Sequence, residues 1–122
     1  MDRTEFAKYI SEKYSVAAER PFERYPNVEV FRHGGNKKWF AAIMNVHASK
    51  FGIYENRNVN IVNLKCTPEV LDEVWQDEGI FPAYHMNKDH WISVFLDGSV
   101  DEGTLKMLLE ASYNATAPRI KK

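Results

Sequence analysis

The chain has 122 residues, of which 44% are hydrophobic, 13% aromatic and 27% charged. This balance is typical of a globular domain and excludes a disordered or fibrous chain, so we predict a single domain over residues 1–122. No apolar run is long enough to span a bilayer, and the charged start MDRTEFAKYI differs from a signal peptide. We therefore expect a cytoplasmic protein, and with Cys66 as its one cysteine an internal disulfide is excluded.

Charge is unevenly distributed along the chain, although the formal net charge is only −1. Segment 26–66 contains six basic and two acidic residues, a net +4, whereas segment 67–117 contains two basic and ten acidic residues, a net −8. A nearly neutral chain does not favour strong non-specific binding to a polyanion, because phosphate neutralisation supplies most of that affinity. The basic segment could face an anion, or its charges could form ordinary solvated surface.

The first elements predicted in chain order are a helix and a β-hairpin. Asp2 and Glu5 resemble a capping box, and apolar residues at helical spacing predict a helix from about Arg3 to Ala18. Pro21 and Pro26 in RPFERYPN end it. The stretches VEVFRH and KKWFAAIMNV then predict two strands that turn at GGNK, while ASKFGIYENRN is a loop or a short irregular strand.

Two more strands are predicted further along the chain. VNIVNLKC alternates with period two, which places Val59 and Ile61 on one face and Val62 and Leu64 on the other, so both faces are partly covered. WISVFLDG alternates in the same way and ends at an Asp-Gly turn.

Capping residues and apolar spacing predict two more helices. TPEVLDEVWQDEG begins with a Thr67 cap and ends at Gly79. Ser99 and Glu102 resemble a second capping box, whose helix continues to Pro118. The predicted buried faces are Val70, Leu71, Val74 and Trp75 in the first helix, and Leu105, Leu108, Leu109, Ser112, Tyr113 and Thr116 in the second.

The resulting order is helix, two or three strands, helix, one or two strands, helix. Because helices and strands do not alternate regularly, this order favours a mainly antiparallel α+β domain over a doubly wound parallel sheet. Asn45, Asn60, Asn63 and Asn87 stand among apolar residues, although strand interiors disfavour asparagine. We expect some of them to hold turns or hydrogen-bond networks across strands.

The histidines and the cysteine are the candidates for metal or nucleophile chemistry. His85 and His90 lie five residues apart, whereas a helical metal pair needs three or four, and His47 and Cys66 could join them only through the fold. A helix start beside Cys66 would lower the pKa of its thiol, but a half-buried cysteine at a strand end is the simpler interpretation. We predict no metal, no cofactor and no catalytic residue, and there is no phosphate-binding loop.

A second group of residues mixes basic and aromatic character near two strand ends. It comprises Lys65, Tyr84, His85, Lys88 and Trp91, and such a mixture is typical both of a nucleic-acid surface and of the edge of a core.

Three segments resemble the MmcQ/YjbR family: VNLKCTPEVLDEV, AYHMNKDHWISVFLDGSV and LLEASYNAT. The resemblance extends from about Phe22 to Ala117 and implies a frataxin-like (CyaY-like) α+β fold, in which helices pack on one side of an antiparallel sheet and hairpins form a double wing. Members of the family are commonly described as DNA-binding, which makes DNA an implied partner. This chain differs from the usual pattern at Asp89, where many relatives carry a basic residue, and at Ala83, where they carry glycine.

Three functions remain open from the sequence. The first is a DNA-binding module without catalytic activity that would use Arg32, Lys37, Lys38, Lys50, Arg57, Lys65 and Lys88. The second is a domain that binds a small anionic ligand or a protein, with candidate contacts at Lys65, Tyr84, His85, Asn87, His90 and Trp91. The third is an enzyme or metal protein that uses Cys66 and the histidines. No membrane partner is expected, and the oligomeric state is left open.

Overall fold

A five-stranded antiparallel sheet forms the centre of the computed structural model, which describes residues 1–74 and 77–118. The strands lie in the order β1-β2-β3-β5-β4: β1 (Glu29–Arg32), β2 (Trp39–His47), β3 (Asn58–Lys65), β4 (Ile80–Pro82) and β5 (Trp91–Phe95). The helices of the described residues are α1 (Arg3–Tyr14), the 3-10 helix Ala48–Phe51, α2 (Pro68–Val74) and α3 (Glu102–Thr116). The predicted antiparallel α+β class is confirmed.

One face of the sheet, the helix face, carries the main hydrophobic core. Ile43, Val62 and Val94 are aligned across β2, β3 and β5 and are fully buried. Phe6 and Ile10 of α1, Val74 of α2, and Leu105, Leu108 and Leu109 of α3 belong to the same core cluster. The three α-helices therefore pack on one side of the sheet, as predicted.

The opposite face, the open face, carries a smaller cluster. Met44, Ile61 and Phe95 are aligned across β2, β3 and β5, and the aromatic rings of Phe51 and Phe81 pack against them. No residue of α1, α2 or α3 belongs to this cluster as far as residues 1–74 and 77–118 describe it. Because loops cover only part of this face, the prediction that both faces of β3 are partly covered is confirmed.

Helix α1 ends four residues earlier than the predicted end at Ala18. Ser15 adopts a left-handed conformation, with φ at 53°, and its N–H donates to the carbonyl of Ser11. The chain must leave the helix there because Glu19 forms an antiparallel bridge with Val30 of β1. The predicted capping box of Asp2 and Glu5 is confirmed.

The start of α3 also differs from the prediction. Its N-cap is Asp101, whose carboxylate accepts from the N–H of Thr104 at 2.6 Å, and the Ser99 side chain instead bonds the carboxylate of Asp97 in the preceding turn. The predicted buried face of α3 is confirmed for Leu105, Leu108, Leu109, Ser112 and Thr116. Within the described ranges, no helix has the length and apolar character needed to cross a bilayer.

Helix α2 is described over Pro68–Val74, and residues 77–79 are not helical, so the helix does not extend to the predicted end at Gly79. Val74 is buried and Val70 and Leu71 are half-buried, as the predicted face requires, whereas Trp75 lies outside the described residues. The hydroxyl of Thr67 accepts from the N–H of Val70 at 3.4 Å, in agreement with its predicted role as cap.

A buried histidine joins the β1–β2 turn to the end of α3. His33 is 3% exposed, and its Nε2 lies 3.0 Å from the carbonyl oxygen of Tyr113 and 2.8 Å from the hydroxyl of Thr116. Because the Thr116 hydroxyl donates to the Ser112 carbonyl, both oxygens accept from a proton on Nε2. Burial lowers the pKa of His33, so the neutral ring is the stable form in the folded protein.

Stability should therefore fall as the pH drops below about 6.5, the ordinary histidine pKa in the unfolded chain. Between that value and the lower folded pKa, the unfolded chain binds the extra proton, so the His33 contribution is complete above pH 7 and is lost on acidification. Urea unfolding at pH 5 to 7.5 measures how the free energy of unfolding depends on pH. His33→Phe should weaken this pH dependence, whereas the control His90→Gln, at an exposed position, should leave it unchanged. An equal pH dependence in the wild type and both variants would contradict the role of His33.

Candidate ligand-binding site

A cleft of about 530 Å³ lies on the open face, over β2. Segment 22–28 forms one wall and segment 84–86 forms the other. Its lining is mostly apolar and aromatic: Phe22, Tyr25, Asn27, Val28, Trp39, Met44, Asn45, Val46, His47, Lys50, Asn63, Tyr84, His85 and Met86. A volume of 300–1,000 Å³ with few polar groups is typical of small-molecule sites.

The first wall is an anchored loop. The side chain of Asn27 accepts from the N–H of Asn45 at 3.2 Å, and the Arg3 guanidinium donates to the Asn27 carbonyl and pairs with Glu29 at 2.9 Å. Phe22 packs edge-on against Trp39, with ring centroids 6.1 Å apart. The wall therefore runs alongside β2, from Trp39 at one end to Asn45 near the other.

The second wall is held by a buried hydrogen-bond network. The Asn63 amide donates to the Tyr84 carbonyl at 2.9 Å, the Ser93 hydroxyl donates to the Asn63 side-chain oxygen at 2.5 Å, and the Tyr84 N–H donates to Ser93 at 2.9 Å. Both Asn63 and Ser93 are fully buried. The expectation that asparagines form networks across strands is confirmed here, and Asn45 and Asn60 form a second, exposed pair at 3.0 Å.

The loop after Tyr84 turns sharply. His85 has φ at 58°, a left-handed conformation uncommon for residues other than glycine, and its ring lies 4.0 Å from the Tyr84 ring between centroids. The Lys88 ammonium donates to the carbonyl of Ala83 at 2.8 Å, which closes the loop. Asn87 accepts from the N–H of Asp89 at 2.8 Å and thus holds a turn.

The polar end of the cleft lies where β2 passes into the 3-10 helix. His47 accepts from the N–H of Ser49 at 3.2 Å through Nδ1, and Nε2 lies 3.2 Å from the side-chain oxygen of Asn56, which requires the proton on Nε2. Lys50 is exposed beside it and forms no ion pair within the described residues. No Asp or Glu of the described chain lines the cleft, so Lys50 gives it a positive end.

The structure brings only part of the predicted ligand site together. Tyr84 and His85 line the cleft, whereas Lys65, Asn87, His90 and Trp91 do not. Lys65 and Trp91 are directly opposite each other on β3 and β5, and the His90 carbonyl accepts from the N–H of Cys66 at 2.8 Å. The six candidate contacts therefore do not all line this cleft, which is surrounded by a different set of residues with Tyr84 and His85 among them.

Several of the predicted DNA contacts already have partners within the protein. Arg32 pairs with Glu19 at 3.1 Å and lies over the Trp39 ring, with its guanidinium carbon 5.5 Å from the centroid. Arg57 contacts Glu55 and pairs with Asp97 at 3.2 Å. Burial alone would raise the pKa of Asp97, but hydrogen bonds from Ser99 and Arg57 outweigh it and lower that pKa.

The remaining lysines do not lie side by side. Lys37 and Lys38 are exposed at the turn before β2, whereas Lys50 follows the end of β2. At the usual rise per residue, the ends of this nine-residue strand lie roughly 27 Å apart. Lys37 and Lys38 are thus far from Lys50, so the basic residues of segment 26–66 do not form one continuous face.

Cys66 is a core residue. Its side chain is 4% exposed, and burial raises the pKa of its thiol. A raised pKa opposes the reactive thiolate that a nucleophile requires. Across residues 1–74 and 77–118, no group of three or more His, Cys, Asp or Glu side chains could hold a metal ion.

Sequence reasoning missed most of the cleft lining. Trp39, Met44 and Val46 look like ordinary strand residues, and only their position on the open face places them in the lining of the cleft. The one local signal was Phe22 and Tyr25, two aromatics within the proline-bounded loop RPFERYPN. They remain 43% and 62% exposed, which marks a surface rather than a core.

Comparison with known proteins identifies the family. A family model described as YjbR matches residues 11–115. The chain belongs to the YjbR family. The uncharacterised protein YyaQ of Bacillus subtilis (strain 168) is 41% identical over 116 residues, which cover 95% of this chain and 98% of YyaQ. The uncharacterised YjbR of Escherichia coli (strain K12) is 35% identical over 77 residues, which cover 62% of this chain and 65% of that protein.

Solved structures of YjbR-like proteins share this fold. A crystal structure of a Pseudomonas syringae protein has a TM-score of 0.92 and 39% identity, and covers 96% of this chain and 100% of its own. The crystal structure of a Deinococcus radiodurans protein has a TM-score of 0.69 and 26% identity, and covers 93% of this chain and 77% of its own. Both matches cover more than nine-tenths of this chain, so these proteins share its overall fold.

Proposed function

We propose that this YjbR-family protein is a binding domain without catalytic activity, whose cleft holds a small anionic ligand with an apolar body. The observation that carries the proposal is the apolar cleft with Lys50 at one end and no carboxylate among the described residues of its lining. Apolar walls favour a ligand body that leaves water, and the exposed Lys50 ammonium favours a negative group at the polar end.

The described polar groups fit a binding role better than a reaction. The nitrogens of His47 are occupied by Ser49 and Asn56, and Cys66 lies in the core rather than in the cleft. The side chains of Asn63 and Ser93 already form hydrogen bonds that hold the second wall. The groups that remain to meet a ligand include Lys50, His85, the tyrosine hydroxyls of the walls and the apolar lining, which can bind and orient a ligand.

A matched pair of probes tests this proposal. In a 1H–15N NMR titration, 3-phenylpropanoate should cause saturable shifts at the amides of Asn45, His47, Lys50 and His85, whereas 3-phenylpropylammonium should not. Tyr25→Ala should weaken binding of the anion by about three- to tenfold, because it removes an aromatic wall. Tyr54→Ala provides the control, because Tyr54 is fully exposed and lies outside the cleft.

Equal shifts with the two probes would show that charge does not select the ligand. The absence of any saturable shift with the anion, or shifts spread over the helix face, would refute the proposal.

DNA binding is a second candidate, favoured by the exposed Lys37 and Lys38 at the tip of the β1–β2 hairpin. Neither forms an ion pair within the part of the chain that the structure describes. Both residues are exposed, and hydrogen bonds fix the turn that carries them: the Lys37 N–H donates to the His33 carbonyl at 3.1 Å and the Lys38 N–H donates to the Asn36 side chain at 3.0 Å. A projecting basic hairpin can approach phosphates, although two lysines limit the affinity.

Charge reversal at the hairpin tests this candidate. Any affinity for a 20-base-pair duplex at 50 mM salt should fall at least tenfold in Lys37→Glu/Lys38→Glu, because phosphate contacts become repulsive. The control Lys8→Glu changes an exposed charge on α1 and should have little effect. Fluorescence anisotropy measures both; binding that is independent of salt or of these two lysines would remove DNA from consideration.

A further inference from the structure

The shape of the cleft restricts its ligand further than its charge does. Phe22 contacts Trp39 at the first residue of β2, and Asn27 bonds Asn45 near its end, so segment 22–28 follows the strand. The lining includes both Trp39 and His47, the first and last residues of β2. The cleft is therefore elongated, since its lining includes both ends of a strand whose end residues lie roughly 27 Å apart at the usual strand rise.

The lining of the cleft also suits a flexible chain. Apolar side chains lie along its length, and those of Met44 and Met86 are unbranched thioethers that adapt to the shape of an extended hydrocarbon.

The two ends of the cleft differ in chemistry. Phe22 and Trp39 make one end aromatic, while His47 and Lys50 make the other polar and positive. We propose that the ligand is a single-chain amphiphile with one anionic head, such as a fatty carboxylate, and that its head lies at Lys50 and its tail at Trp39. This inference rests on the proposed function and names the ligand class and its orientation.

A series of saturated carboxylates tests the ligand class, measured by NMR titration below the micelle concentration. Each methylene added between octanoate and dodecanoate should tighten Kd by about two- to fourfold, because more apolar chain leaves water. Dodecanoate should bind at least tenfold more tightly than 3-phenylpropanoate. Lys50→Gln should weaken dodecanoate binding about two- to fivefold. The same substitution should leave dodecanol binding unchanged, and Lys38→Gln, outside the cleft, should change neither.

Isotope-edited NOE spectra of the wild-type protein test the orientation. Octadecanoate, whose chain is long enough to reach from Lys50 to the aromatic end, tests both contacts. A 13C label in its terminal methyl should give NOEs to the rings of Trp39 and Phe22, and a 13C label at C2 should give NOEs to His47 and Lys50. The opposite pattern would overturn the orientation. If the octanoate to dodecanoate series shows constant affinity while 3-phenylpropanoate binds, the chain-shaped ligand is refuted and the proposed function stands; if neither class binds, both fall.

Discussion

Asn63→Ala should destabilise the protein by about 3 kcal/mol and free the second wall of the cleft. The substitution removes the donor to the Tyr84 carbonyl and the acceptor for the Ser93 hydroxyl, at a site that is fully buried. Each buried polar group left without a partner costs about 1–3 kcal/mol. Urea unfolding measures the stability, and amide hydrogen exchange in segment 83–90 should accelerate more than exchange in β2.

A matched control lies on the same strand. Asn60 also bonds another asparagine, Asn45, but that contact is exposed to water, so Asn60→Ala should cost less than about 1 kcal/mol. In Asn60→Ala, amide hydrogen exchange in segment 83–90 should resemble that of the wild type. If the two substitutions cost the same, the buried network does not hold the wall, and the loop geometry must depend on other contacts.

The elements whose local pattern and packing agree were predictable from the sequence. The apolar spacing of α3 and the alternation of β3 determine which residues are buried, because both elements pack against the sheet or within it. The ends of helices were less predictable. Nothing local indicates that Ser15 adopts a left-handed conformation, since the bridge between Glu19 and Val30 that requires it depends on residues far along the chain.

The candidate site was harder to predict because it is a tertiary feature. The histidines in the stretch Phe81 to Gly98 attract attention, yet His90 lies outside the cleft and only His85 lines it. The lysines seemed to form one basic segment, but β2 separates Lys37 and Lys38 from Lys50 by roughly 27 Å. Residues that are near each other in the sequence were therefore assigned to one site, although the sheet places them far apart.

The segments that resemble the family have structural roles that the fold explains. Asn63 in VNLKC and Tyr84 in AYHMNK meet in one hydrogen-bond network, and Lys88 closes the loop that follows. Ser112 in LLEASYNAT joins the third segment to the sheet. These motifs thus form the second wall of the cleft and attach α3 to the sheet. They therefore identify the fold more directly than they identify a ligand.

Ser112→Ala should lower the free energy of unfolding by about 3 kcal/mol. The Ser112 hydroxyl accepts from the Lys65 N–H at 2.9 Å and donates to the Phe40 carbonyl at 2.6 Å, and the residue is fully buried. Both backbone groups lie beyond Ala42 and Asn63, where the β2–β3 pairing ends. The serine therefore replaces the missing ladder partners, and alanine would leave a buried donor and a buried acceptor unpaired.

Thermal unfolding should show this loss as a decrease in Tm of roughly 10 °C for a domain of this size. Ser11→Ala on α1 is the matched control: its hydroxyl makes no hydrogen bond described within the structured residues, and alanine favours the helix, so its stability should change by less than about 0.5 kcal/mol. Because Ser112 lies on the helix face, Ser112→Ala should leave the NMR shifts of His85 and Met86 unchanged. A loss of stability accompanied by shifts of His85 and Met86 would instead mean that the contact between α3 and the sheet is coupled to the cleft.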